Sequence, residues 1–541
     1  MKPQEDTSSL SRRFVSRRGR FLSIAAGVAI VLLTSVSFPA LRAQSPSSLV
    51  FREGELVQVE VSWSRARHWR IVDDCGRVVR HGELEMGQRT LRLAGLPPGG
   101  YFLVWRSATE SLQTETLATH TLCSFLILPV PPPVPEDHFL AISHPDMIDD
   151  ARSGNSDYAF VFPAMKLLGI RRLRIEFAPP RLIGEDSDSI DWGPLDRIDR
   201  DAAEARVRLI AVLDADATDS PEAGNAGEAP DVPARALMHR YGFRLDEFAL
   251  CSGIRMDALD DPTAKRILAR MAPAYSTLKA RFARCSVALG DLMPPYVSQP
   301  VAKSFLIESA QFCDVLDYRI PGTLGDARRA TQDLDRLVEK TAWEKRHRAI
   351  SDASVVTGTT ESLATQRFQA VETIKKLVWA RHLGYRYFVA APLFDPEQSS
   401  TPTVSNVAMG PGFFSNPDVA QRVRSPRLVA GACAHAIMRL AGSRAAPRLA
   451  YRDDTMEIYG FERPGETVLV FWTPESGSGK AGKTAISLFW PVNASAEAYD
   501  LMGRRADHDR VRAKTEGEHY VLVDPDPAYL VVAARSDAIF W

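Results

Sequence analysis

Leu173-Arg174-Ile175-Glu176-Phe177, followed after one helical segment by Leu209-Ile210-Ala211-Val212-Leu213, decides how this chain is read. Both are short β-type runs. The stretch between them, Pro194 to Ala205, has its apolar residues at helical spacing. Strand, crossover helix, strand is the unit of a parallel sheet. The rhythm continues in both directions. Phe139–Ser143 precedes it, and Phe248–Cys251, Ser286–Leu289, Val315–Tyr318, Ala349–Asp352 and Tyr387–Ala391 follow. Amphipathic segments such as Thr263 to Arg281 and Glu361 to Leu383 separate them. Eight strand–helix units over residues 137–445 predict a closed (β/α)8 TIM barrel rather than an open doubly wound sheet.

Outside that region the pattern changes. Residues 48–128 hold short runs of alternating polar and apolar residues, among them Glu55–Val61, Trp69–Val72, Thr90–Leu93 and Tyr101–Trp105. Turn chemistry at Asp74-Cys75-Gly76 and Pro97-Pro98-Gly99-Gly100 divides them, which predicts an N-terminal β-sandwich. Residues 129–136 are a proline-rich, extended linker. Alternation returns over 446–541, in Thr467–Trp472, Ala485–Trp490 and Tyr529–Val532, and predicts a second, C-terminal β-sandwich. The whole is a multidomain chain with a central barrel flanked by two sandwiches.

Residues 1–43 read as an address. Arg12-Arg13, Arg17-Arg18 and Arg20 precede an apolar run, Phe21 to Leu33, and the small-residue site Leu41-Arg42-Ala43. That is the order of a signal peptide cleaved after Ala43. The paired arginines resemble a twin-arginine leader with one residue too many. The run is shorter than the roughly 20 residues that span a bilayer, so no stable membrane span is expected after cleavage. The expected destination is periplasmic or extracellular.

Composition excludes several classes. Lys+Arg is 66 against Asp+Glu 67, a net charge of −1, which argues against a dedicated nucleic-acid binder. Hydrophobic residues at 45% and charged residues at 25% are those of a globular chain. No Gly-x-Gly-x-x-Gly follows a strand and no P-loop occurs, so no cofactor is expected; no His-x-x-x-His or ligand-spaced cluster predicts a metal. Export would permit Cys75 and Cys123 to pair. Cys251, Cys285, Cys313 and Cys433 are scattered and read as buried thiols.

Four strings carry a resemblance. They are Gly169–Phe177, Ile190-Asp191-Trp192-Gly193-Pro194-Leu195-Asp196, Ser425–Ala430 leading to Leu440-Ala441-Gly442, and Asp500-Leu501-Met502-Gly503. Their order resembles glycoside hydrolases of clan A, nearest to family 39. The resemblance implies a TIM barrel, a polysaccharide or oligosaccharide partner, and two catalytic Glu residues. One Glu would follow an Asn at the end of strand four; the other would end strand seven.

Both positions differ here. Strand four continues Ser252-Gly253-Ile254, so Gly253 stands where the acid/base Glu would be. Strand seven ends at Asp352. Aspartate retracts a carboxylate by roughly 1.5 Å, one C–C step. Misplacement of about 1 Å costs on the order of a hundredfold in rate, and losing the general acid a further ~10²–10⁴-fold. The resemblance with these departures predicts a degenerate or altered hydrolase. The nearest acids to Gly253 are Asp257, Asp260 and Asp261 in the following loop; Asp352 with Asp257 could act as an inverting pair, and a working glycosidase would use Asp352 with a loop Asp as acid. Glu361 is set aside because Thr359-Thr360-Glu361-Ser362 reads as a helix start.

Other strand ends supply candidate sugar-binding groups: His144, Arg174, Glu176, Asp214, Tyr318, Arg319 and Asp395. Trp192, Tyr318 and Phe394 are candidate aromatic rim residues. Arg174 and Glu176 alternate with apolar neighbours, face the barrel interior, and could pair with each other. A non-catalytic assembly module with a protein partner is the rival from a different functional class.

Overall fold

The computed structural model describes residues 49–60, 67–85, 88, 90–106, 121–131, 136–177, 191–213, 240–241, 245–281, 283–297, 299–355, 362–395, 412–415, 424–474, 484–506 and 510–541. The leader, Asp214, Glu361 and residues 132–135 of the linker lie outside them.

Among the described residues the N-terminal domain holds seven strands: β1 (Val50–Arg52), β2 (Val57–Glu60), β3 (Arg67–Asp73), β4 (Val78–Leu84), β5 (Thr90–Leu93), β6 (Gly99–Arg106) and β7 (Thr121–Leu128). They pair as one sheet, β1-β7-β6-β3-β4, and one ribbon, β2-β5. Along β2 burial alternates residue by residue, as a pleated strand with one apolar face requires. Val57, Val59, Leu91, Ile71, Leu103 and Phe125 fill the space between the two layers. Cys123 is part of this core, whereas Cys75 is exposed in the β3–β4 turn; both are free thiols. The disulfide that export would permit is therefore not formed, because one sulfur faces the core and the other the surface.

Eight strands follow: β8 (Leu140–Ser143), β9 (Arg172–Glu176), β10 (Arg208–Val212), β11 (Leu245–Arg255), β12 (Ser286–Met293), β13 (Val315–Arg319), β14 (His347–Asp352) and β15 (Phe388–Pro392). All pairs are parallel and the sheet closes, with β15 pairing β8. This is the expected (β/α)8 barrel. Strands alternate: Leu316 and Tyr318 face the surrounding helices, while Val315 faces the interior. Ala141, Ala249, Ala288 and Ala349 lie in that interior beside Tyr387. Four alanines leave room for large polar side chains. Near the strand N-termini Glu247 accepts from Arg386 Nε at 2.9 Å and lies 3.5 Å from Arg172.

The C-terminal domain holds β16 (Arg444–Ala445), β17 (Tyr451–Arg452), β18 (Glu457–Arg463), β19 (Glu466–Trp472), β20 (Thr484–Phe489), β21 (Ala496–Tyr499), β22 (Val511–Thr515), β23 (Glu518–Val523) and β24 (Ala528–Val532). One sheet is ordered β16-β18-β19-β24-β21, with β17 on β18; the other is β20-β23-β22. Leu469, Phe471, Leu488, Val521 and Leu530 pack between them. Both flanking domains are thus β-rich, as expected. No described helix is long and apolar enough to cross a membrane.

Charged clamps join the domains. Arg328, on the barrel helix Leu324–Val338, donates to both oxygens of buried Glu457 at 2.7 and 2.5 Å, and to Tyr459 Oη at 2.8 Å. In the N-terminal domain Asp74 accepts from Arg504 of the C-terminal domain, and its carbonyl accepts from Arg367 of the helix Leu363–His382 at 2.7 Å. Breaking a buried pair from one side costs about 3–5 kcal/mol, whereas replacing both partners by apolar groups is close to neutral. Arg328→Ala should therefore lower thermal stability sharply, and Arg328→Met with Glu457→Met should recover most of the loss. Calorimetry of the three chains tests this; equal losses in single and double variants would contradict it.

Candidate functional site

Asp291 is the centre of the upper barrel, and period-two reading of its strand points it the wrong way. From Ser286 and Ala288 the inward series would continue to Gly290. The β12–β13 register instead runs Ala288↔Val315 and then Leu292↔Tyr318, so β12 carries one extra residue. That is a bulge. Gly290 has φ +121°, and a Cβ there would lie 2.3 Å from the Cys251 carbonyl oxygen. Only glycine fits. Beyond it the alternation is reset and Asp291 turns inward.

There its carboxylate is fully buried and accepts from Arg319 Nε at 2.7 Å, from Arg319 Nη2, and from Ser351 Oγ at 2.5 Å. Arg174 Nη2 lies 3.9 Å away. Burial pushes the Asp291 pKa up, but Arg319 and Arg174 outweigh it and hold the group down at about 2. Burial likewise pushes the Arg319 pKa down, and Asp291, with Asp352 and Glu176 adding, raises it above its ordinary value. The second interior acid behaves oppositely. Burial raises Asp317 to about 7 against the pull of Arg174. Its carboxyl accepts from Gly290 N at 2.7 Å and meets Tyr387 Oη at 3.1 Å.

Towards the C-terminal ends of the strands, where barrel chemistry is sited, the network meets solvent. Asp352 ends β14, accepts from Ser354 N at 2.8 Å, lies 3.9 Å from Arg319 Nη1 and keeps 30% of its side chain exposed. Glu176 ends β9 and is half-buried. Beneath Asp352, buried Lys376 donates to the carbonyls of Ile320, Ala353 and Ser354 at 3.1, 2.5 and 3.4 Å. It ties the segments after β13 and β14 together. Burial lowers its pKa to about 7, with Asp352 opposing.

The sequence candidates divide accordingly. Arg174, Glu176, Arg319 and Asp352 belong to this cluster, Arg174 lying against Asp291. Tyr318 does not belong to it: its ring faces the helices, and its hydroxyl meets Thr331 at 3.0 Å and Tyr385 at 2.5 Å. It was expected at the rim, but it shares the outward parity of Leu316 in a strand whose inward positions are Val315, Asp317 and Arg319. His144 is buried, 2.9 Å from Asp150, with its ring edge-on to Phe394. Phe394 is itself buried, below the Arg424 guanidinium at 4.0 Å. Asp395 takes a two-pronged bond from Arg427, both contacts 2.6 Å. Trp192 is half-buried, with Arg240 at 5.1 Å from its ring.

Asp257 pairs with Arg255 at 3.0 Å, and that bond lowers its pKa. A carboxylate held ionised is a poor proton donor at neutral pH. At the strand-four position Gly253 has φ +67°, and a Cβ there would meet only Met293 Sδ at 3.8 Å. No His/Cys/Asp/Glu group among the described residues could hold a metal ion. Asp291, Asp317, Ser351, Tyr387 and Lys376 were missed as site residues. The sequence did hold a signal for the first: a glycine next to an acid inside an apolar strand marks a bulge.

The fold has solved counterparts. A family 39 glycoside hydrolase from Bacteroides cellulosilyticus WH2 matches at a TM-score of 0.64 and 14% identity, over 90% of this chain and 99% of that one. A glucosidase from Croceicoccus marinus matches at 0.50 and 13% identity, over 75% and 97%. No family model matches the chain, and no curated protein matches it. The likeness is one of fold, that of glycoside hydrolases with flanking β-rich domains.

The two interior acids give opposite pH dependences. Below the ordinary carboxyl pKa of 3.8, Asp317 is protonated in folded and unfolded chains alike. As pH rises from about 4 to about 7 the unfolded group ionises while the folded one keeps its proton, so stability is lost across that window and is level above it. Asp291, held at about 2, stabilises above pH 4, and that stability is lost as pH falls towards 2. Melting temperatures of wild type and Asp317→Asn between pH 4 and 8 should converge at the acid end and diverge towards neutrality, the variant gaining. Parallel curves would contradict the assignment.

Proposed function

We propose that this chain is an exported, glycosidase-like protein that engages polysaccharide in the cleft at the C-terminal end of its barrel and does not hydrolyse it by the two-carboxylate mechanism. The barrel, with β-rich domains on both sides and a glycoside hydrolase fold, supports the cleft and the ligand class. The leader read in residues 1–43 supports export to the periplasm or beyond.

One observation carries the loss of chemistry: the strand-four position is Gly253, with no side chain, while Asp352 is committed to Arg319 and the Ser354 amide. A retaining mechanism needs two carboxyls about 5–5.5 Å apart, one of them able to donate a proton. Asp257, the loop acid closest in sequence to that position, is bound to Arg255 and kept ionised. Arg319, Asp352 and Glu176 instead present a charged, hydrogen-bonding surface suited to sugar hydroxyls.

Native gels containing bacterial exopolysaccharides should retard the purified protein with at least one of them, and Asp352→Asn or Glu176→Gln should weaken that retardation several-fold. Aryl glycosides should show no turnover above the variant background. Turnover that Asp352→Asn abolishes would establish a working hydrolase instead. Failure to bind any glycan would remove the proposal, and a protein partner retained after deletion of residues 137–445 would favour an assembly module.

A further inference from the structure

The second sheet of the C-terminal domain leaves one face in solvent, and its composition is unusual for a surface. On β20 and β23, Ile486, Leu488 and Val521 point into the sandwich. The alternate residues point out: Ser487 opposite Tyr520, and Phe489 opposite Glu518. On β22 Arg512 stands opposite Tyr520, and Thr515 opposite Glu518. Phe540 extends the row, because Phe489 and Phe540 exchange both backbone hydrogen bonds, at 2.8 and 3.0 Å. Directly opposed residues of an antiparallel pair place their side chains on the same face. Phe489 is 41% exposed, Phe540 61% and Tyr520 37%.

Three features select the ligand. Exposed apolar area of this kind marks an interaction site, and here it is aromatic, on a rigid ladder, so it offers flat rings rather than an aliphatic groove. Polar groups interleave with the rings: Lys514 reaches Glu518 at 2.8 Å and lies 4.9 Å over Tyr520, and Thr515 Oγ1 donates to Glu518 at 3.3 Å. The charges balance, Arg512 and Lys514 against Glu516 and Glu518, all on β22, β23 and their turn. A neutral face has no attraction for nucleic acid or an anionic lipid surface, both of which call for basic excess. A neutral polymer with one apolar face per ring and hydroxyls around its rim is complementary to it.

We infer that Phe489 and Phe540, bordered by Tyr520, form a second polysaccharide-binding surface, separate from the barrel cleft and specific for uncharged glycan chains. This rests on the proposed function, in that both surfaces hold polysaccharide. Two phenylalanines bind sugar rings face-on; Lys514, Glu518 and Ser487 bind hydroxyls.

The test uses the full chain in native gels containing hydroxyethyl cellulose, arabinoxylan, galactomannan or laminarin, with alginate as the acidic polymer and phosphatidylglycerol vesicles as the lipid arm. Wild type should be retarded by at least one neutral polymer. Phe489→Ala with Phe540→Ala should raise the apparent Kd at least about tenfold at an unchanged melting temperature, and Phe540→Tyr should keep wild-type retardation. Asp352→Asn reports separately on the barrel. Retardation lost in Asp352→Asn but kept in the double phenylalanine variant overturns this inference and leaves the cleft standing. Retention on vesicles or on alginate alone overturns it too. A wild type that no polymer retards overturns both. Should the double variant unfold, Phe540→Lys alone, at the more exposed position, gives the same decision.

Discussion

A carboxylate with no solvent access, held between two guanidiniums, is the constraint on which the upper barrel depends. An ion the size of a carboxylate is costly to bury unless it is paired and hydrogen-bonded. Asp291 meets that requirement through Arg319, Ser351 and the more distant Arg174. Those partners come from β13, β14 and β9, so one charge links four of eight strands. The alanine layer below makes the arrangement feasible, since larger side chains there would leave no volume for the arginines.

The same network extends to the mouth of the barrel. Arg319 is drawn inward by Asp291, and its remaining edge faces Asp352. Lys376 holds the carbonyls after both strands, next to the end of β14 where Asp352 sits. A retaining mechanism needs two carboxyls about 5–5.5 Å apart. Asp352 has a counter-ion at 3.9 Å, and at strand four there is a glycine.

Charged clamps join the flanking domains to the barrel and to each other. Arg328 reaches across to Glu457 and Tyr459, while Arg367 and Arg504 converge on Asp74. Guanidiniums suit such joints because a planar fork satisfies two acceptors at once.

Hydrophobic periodicity by itself determined the eight barrel strands, their parallel order and the β-rich domains at either end, because burial on one face writes itself into local spacing. The family resemblance, rather than periodicity, singled out Gly253 and Asp352. What periodicity could not determine was partnership. The bulge at Gly290 shifts the inward series by one and brings in Asp291, which alternation assigns to the wrong side. Tyr318 was placed at the rim by its nearness to a strand end, although its parity with Leu316 sends it to the helices. His144, Asp257 and Asp395 look available in a string of letters and are each paired in space, with Asp150, Arg255 and Arg427. Periodicity is a property of neighbours along the chain; the state of a charge depends on which strands closure brings beside it, and that only the tertiary structure decides.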